Sequence, residues 1–172
     1  INAVFGLYNT TLAIQRNTEL RQQVQDAQNG LANAEDGLAR YITGGQGFDL
    51  ARHHAGRTAM RGALGAIQRS VRTESTRGQL ERADAEEALY AAAGDQTIAK
   101  WKADDPAPAR EQLDEAVRPA ADTLREHLGE LALGFSRSQA FAEERLRENR
   151  DTASAALGIM AVLLLFGILW LV

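Results

Sequence analysis

VQDAQNGLANAEDGLARY, residues 24 to 41, is the stretch that decides the fold: Val24, Ala27, Leu31, Ala34, Leu38 and Tyr41 recur three and four residues apart. A helix turns about 100° per residue, so this spacing gathers the six side chains into one stripe, the seam of a helix packed on other helices. Gln, Asp, Asn, Glu and Arg fill the positions between and form the solvated faces. Alternation of the strand type is nearly absent from the chain, while Ala, Leu, Glu, Gln and Arg dominate it.

Outward from that seam, three stretches interrupt the helical pattern: Gly44-Gly45-Gln46-Gly47, Thr73 to Gly78, and Asp104-Asp105-Pro106-Ala107-Pro108. Thr76 and Gln79 have capping-box spacing, and Asp105 before Pro106 reads as an N-cap followed by proline at the first helical position. Three interruptions make four helices, predicted at about 3–43, 48–72, 78–102 and 107–152. The middle two are each about 38 Å long by helical rise, and the outer two are longer. Short connections between them predict an all-α, antiparallel up-down-up-down four-helix bundle. Helix four carries a second seam through Val117, Leu124, Leu131 and Ser138, widened by Leu128, Phe135 and Ala142, and Pro119 either kinks it or marks the start of its regular part. In helix three Asp84, Glu87, Gly94 and Asp95 interrupt the stripe of Leu80, Ala91, Ile98 and Trp101. Gly30, Gly37, Gly62, Gly65, Gly129 and Gly134 each cost about 1 kcal/mol relative to alanine inside a helix. Close helix approach or a deliberately soft bundle are the two reasons open at this point.

The chain closes on ASAALGIMAVLLLFGILWLV, residues 153–172, without a formal charge. Twenty helical residues rise about 30 Å, the thickness of a bilayer's hydrocarbon core. Helix four is therefore expected to continue into a transmembrane helix, with Trp170 as its interfacial anchor and Ser154 with Gly158 allowing close helix contact. Glu143, Arg147 and Asp151 stand four residues apart and favour an unbroken helix into it. The first sixteen residues carry no charge until Arg16, which leaves room for an upstream membrane helix.

LANAEDGLARYITGGQGFDL, residues 31 to 50, resembles the signature of the third class of CHASE domains, extracellular sensory four-helix modules of bacterial receptors. That signature runs as Asp-Ala-Glu, a small residue, Arg-Gly-Tyr and a Thr-Gly turn. Asn33, Ala34 and Glu35 fall on the triplet, Gly37 on the small position, Tyr41 on the tyrosine and Gly45 on the turn glycine. Asn33 replaces the acid, Ala39 stands where the arginine is usual with Arg40 one place later, and Gly44 replaces the threonine. The ligand-binding bundles of chemoreceptors are similar in architecture. The resemblance implies a homodimeric module in the bacterial cytoplasmic membrane, its bundle extracytoplasmic, passing a signal to a histidine kinase, nucleotide cyclase or chemotaxis module. It implies a small-molecule or protein ligand without identifying it.

Composition narrows the chemistry. Nineteen Lys and Arg against 23 Asp and Glu, interspersed, do not make a nucleic-acid surface. The absence of cysteine excludes disulfides and thiolate metal sites. His53 and His54 point about 100° apart, and neither His54 nor His127 has a glutamate three residues before it, so no metal is expected and no cofactor. No nucleophile elbow, zinc-protease or phosphate-loop pattern occurs, so no catalytic residue is assigned and no enzymatic activity is expected. Arg40, Arg52 and Arg57, part of a basic run on helices one and two, are candidates for holding an anionic ligand at the bundle's far end; pairing with acids of helix three is the competing role. A membrane-anchored assembly subunit with a helical protein-interaction bundle is the alternative to a sensor.

Overall fold

The computed structural model describes the backbone of residues 2–171, and the side chains of residues 8–148, 150–152, 154 and 155. It is all-α: α1 (Asn2–Gly44), α2 (Gly47–Ser70), α3 (Glu74–Lys102), α4 (Pro106–Gln112), a π-helical turn (Leu113–Val117) and α5 (Arg118–Leu171). Two compact units divide the chain: Leu20–Phe135, and Ile1–Glu19 with Ser136–Val172. Among the described residues no helix is long and apolar enough to cross a membrane. The run at 153–172, with Gly158 and Trp170, lies outside the described side chains except at Ser154 and Ala155.

In the unit Leu20–Phe135 the predicted seam of helix one is the core. Val24, Ala27, Leu31, Ala34, Leu38 and Tyr41 are all buried, together with Leu20 and Ile42. Met60, Leu64 and Ile67 from α2, Leu80, Tyr90 and Ile98 from α3, and Leu113, Val117, Leu124, Leu128, Leu131 and Phe135 from the last helical segment complete one cluster. Ser138 does not extend this seam: it is exposed, and the buried stripe ends at Phe135.

The first two helices pack unusually close. A Cβ on Gly30 would lie 2.7 Å from the backbone nitrogen of Met60, one on Gly37 2.6 Å from that of His53, and one on Gly56 2.5 Å from that of Ala34. Backbone meets backbone at all three, and the register shows α1 and α2 antiparallel. Close approach thus accounts for Gly30 and Gly37, and it adds Gly56. Gly62 and Gly129 face open space, so contact explains neither.

The turn between these helices is built on Gly45, whose φ of +68° is the left-handed conformation that glycine adopts without Cβ strain. Its N–H donates to the Tyr41 carbonyl at 2.7 Å, closing the end of α1. Tyr41 packs edge-on to Trp101, ring centroids 6.3 Å apart.

Helix α3 begins at Glu74, four residues earlier than residue 78. Its N-cap position is Thr73, whose hydroxyl donates to the Thr76 hydroxyl at 2.7 Å, and no side chain caps the backbone there. Thr76 sits inside the first turn, so the expected Thr76–Gln79 capping box does not start the helix. Pro119 follows the π-helical turn rather than kinking an α-helix. Ala109, Leu113, Val117 and Ala121 are all buried at four-residue intervals, a spacing that drifts about 40° per step on an α-helix. The wider π turn keeps them on one face. It also relieves the clash between the proline ring and the preceding turn.

Candidate functional site

The polar chemistry of the unit Leu20–Phe135 gathers where α1 and α2 meet and where α3 closes over them. Arg40 and Arg52 are brought together by one acid that the sequence reading did not single out. Asp36 Oδ1 accepts from Arg40 Nε at 2.9 Å and its Oδ2 pairs with Arg52 at 2.6 Å, while Arg52 also donates to Asn33 Oδ1 at 3.1 Å. Arg57 is not part of that group: it donates to Asp95 of α3 at 2.7 Å. With Arg61 donating to Glu87 at 2.8 Å, the α2 arginines at 57 and 61 take the pairing role with helix-three acids.

A groove of about 430 Å³ opens at the α1–α2 turn, lined by Ala39, Arg40, Thr43, Gly44, Gln46, Phe48 and Asp49. Phe48 presents its ring at 65 % exposure, whereas Asp49 is buried beside it at 5 %. Asp49 Oδ1 has no hydrogen-bond partner. A second cavity of about 220 Å³ lies between α1 and the π-helical turn, lined by Glu35, Asp36, Ala39, Leu113, Val117 and Arg118. The two cavities flank Ala39, so the stretch 31–50 supplies walls to both. Burial pushes the Glu35 carboxyl above the usual carboxylate range, against the pull of Arg125, which donates to it.

Deeper in, His53 is wholly buried, and its Nδ1 meets the Ala34 carbonyl at 2.8 Å. That contact requires an Nδ1–H, leaving Nε2 as an acceptor in the neutral ring. Nε2 has no partner, and neither has the hydroxyl of Tyr90, whose ring lies 6.3 Å from that of His53. Burial lowers the His53 pKa, with the Ala34 bond opposing and nearby Arg57 and His54 adding to the shift; burial likewise raises that of Tyr90. Gly94 makes room for the imidazole: a Cβ there would touch the ring at 3.6 Å. His127 stands apart from this layer, 3.6 Å from Glu130. Among the described residues no group of three or more His, Cys, Asp or Glu is arranged to hold a metal ion.

The residues of the 31–50 stretch have structural tasks that are now visible. Ala34 supplies the carbonyl for His53, Glu35 binds Arg125, Gly37 admits the α2 backbone, and Tyr41 and Gly45 shape the turn. Sequence reasoning missed Asp36, Phe48 and Asp49. An acid at the third position of a helix reads as ordinary N-terminal charge, and only packing shows that Asp49 is buried.

No family model matches the chain, and no curated protein matches it in sequence. Among solved structures it is similar to a chain of the XylFII-LytSN complex, with a TM-score of 0.58 over 73 % of this chain and 97 % of that one, at 13 % identity. The likeness is one of fold.

Proposed function

We propose that this chain is the sensory input module of a bacterial transmembrane signalling receptor of the histidine kinase, nucleotide cyclase or chemoreceptor type, related to the third class of CHASE domains. It is an up-down-up-down four-helix bundle held outside the cytoplasmic membrane by residues 153–172, works as a homodimer and carries no catalytic step of its own. The observation that carries this reading is α5: one helix assigned from Arg118 to Leu171 contains both core residues, from Ala121 to Phe135, and the uncharged run at the chain's end. A helix shared in this way passes on a shift of about 1–2 Å made in its packed part. The fold likeness and the 31–50 motif support it.

The soft element of such a bundle is not the α1–α2 pair, whose backbones touch. It is the α3 contact, where Tyr90 OH and His53 Nε2 lie buried without partners. Incompletely satisfied polar layers favour alternative packings, because another arrangement can satisfy them at similar free energy.

In the full-length receptor, four residues inserted after Arg150 rotate everything downstream by about 40° and abolish or lock signalling, whereas seven residues, close to two turns, restore regulation. Regulated output with the four-residue insertion contradicts the lever. A second reading, a tethered subunit that recruits a protein partner, draws on the similar chain having been solved within a complex; co-purification of a partner from a receptor-free background favours it.

A further inference from the structure

Asp49 is the third residue of α2, where an acid ordinarily stands in water or caps the helix end. It does neither. The residue is 5 % exposed, this helix end has no side-chain cap bond, and Oδ1 has no partner among the described residues. A buried carboxylate oxygen without a donor is costly, the more so for a charged group. The arginine one turn along α2 does not supply that donor, since Arg52 is held by Asp36 and Asn33. Asp49 is one of the residues that line the groove at the α1–α2 turn.

Arg40 stands in the same groove with the opposite charge. Its Nε donates to Asp36 Oδ1 at 2.9 Å, and its two terminal nitrogens make no hydrogen bond among the described residues. A guanidinium held by one edge offers the other as a fork that fits a carboxylate. Phe48 and Ala39 give the groove an apolar wall, and its volume of about 430 Å³ falls in the range of small-ligand sites.

The geometry points to a small zwitterion as the ligand of this groove, its ammonium group on Asp49, its acid group on Arg40 and its hydrocarbon part against Phe48. A plain amine would meet Arg40 as a like charge, and a plain acid would meet Asp49 in the same way. This assigns a ligand class to the sensory reading and rests on that reading only for its biological use.

Calorimetric titration of the full 172-residue chain in mild detergent tests it. The probes are L-alanine, β-alanine, 4-aminobutyrate and 6-aminohexanoate, with butylamine and butyrate as controls of single charge. At least one amino acid is expected to bind while both controls stay inert, and Arg40→Gln and Asp49→Asn are each expected to weaken binding at least tenfold. Arg40 is exposed, so its variant decides the matter if circular dichroism shows that Asp49→Asn does not fold. Binding of none of the four, equal binding of a control, or unchanged binding by Arg40→Gln overturns the assignment. A chain that binds no zwitterion yet signals with the phase dependence described above keeps the sensory reading and loses this one alone.

Discussion

Adding a methyl group at Gly37 or at Gly129 is the same change in a sequence and two different changes in the molecule. Both glycines sit inside helices, where alanine gains about 1 kcal/mol in propensity. At Gly129 nothing lies within 4 Å of the added carbon, so Gly129→Ala is expected to stabilise by about 1 kcal/mol. At Gly37 the carbon meets the His53 backbone nitrogen at 2.6 Å. Backbone cannot turn aside as a side chain can, so Gly37→Ala is expected to destabilise by about 2 kcal/mol or more through separation of α1 from α2. Urea denaturation of the two variants checks both signs, and a stabilised Gly37→Ala contradicts the close-packed pair. His53 yields a prediction in pH. Burial holds its folded pKa below the ordinary value of 6.5, so the unfolded chain takes up this proton first and stability falls as pH drops below about 6.5. The loss stops once pH passes below the folded pKa. Glu35 acts with the opposite sign: its raised folded pKa means that the native state takes up that proton first, at lower pH. The urea midpoint of the wild type is therefore expected to fall between pH 7.5 and 5.5 more steeply than that of His53→Asn, and parallel profiles contradict the assignment.

Among the elements, the last helical segment shows how much a pattern can say. The buried positions Ala109, Leu113, Val117 and Ala121 step by four, then Leu124, Leu128, Leu131 and Phe135 alternate three and four. A π turn amounts to one residue inserted into an α-helix. Deleting Glu115, exposed within that turn, is therefore expected to convert it to α-helix and leave the core residues beyond it in phase. Deleting Glu126 instead rotates Leu128, Leu131 and Phe135 by about 100° off the core. Circular dichroism melts are expected to show a folded first variant and a second that has lost its cooperative transition; equal damage contradicts the π-turn account. The four-residue steps are present in the sequence, but Pro119 leaves a kink and the start of a regular helix equally open there, and α5 begins at Arg118, one residue before it. The α1 seam was legible because its spacing needs no partner to be read. The meaning of Gly30, Gly37 and Gly56 was not, since a glycine facing backbone and a glycine facing open space look alike until the neighbouring helix is placed. The same holds for the arginines: basic residues every few positions were visible, yet that Asp36 gathers Arg40 and Arg52 while Arg57 turns to Asp95 depends on which helices are adjacent.

For the molecule as a whole, burial is unevenly distributed. Every buried side chain among those described belongs to Leu20–Phe135, and none of the described side chains of Ile1–Glu19 and Ser136–Val172 is buried. Tyr8, Leu12 and Phe141 of the latter unit are exposed at 45 % or more. Isolated helical segments gain little stability from propensity alone, and in proteins packing supplies most of it. In the proposed sensory role a second copy or a bilayer packs against this unit. In the proposed role residues 153–172 hold the bundle outside the cytoplasmic membrane. With no native cysteine in these 172 residues, Gln46→Cys at the exposed α1–α2 turn gives this segment a single thiol. Labelling in intact bacteria with a membrane-impermeant maleimide is the most direct measurement. Full labelling without lysis is the result predicted; labelling that appears only after the cells are opened contradicts the account.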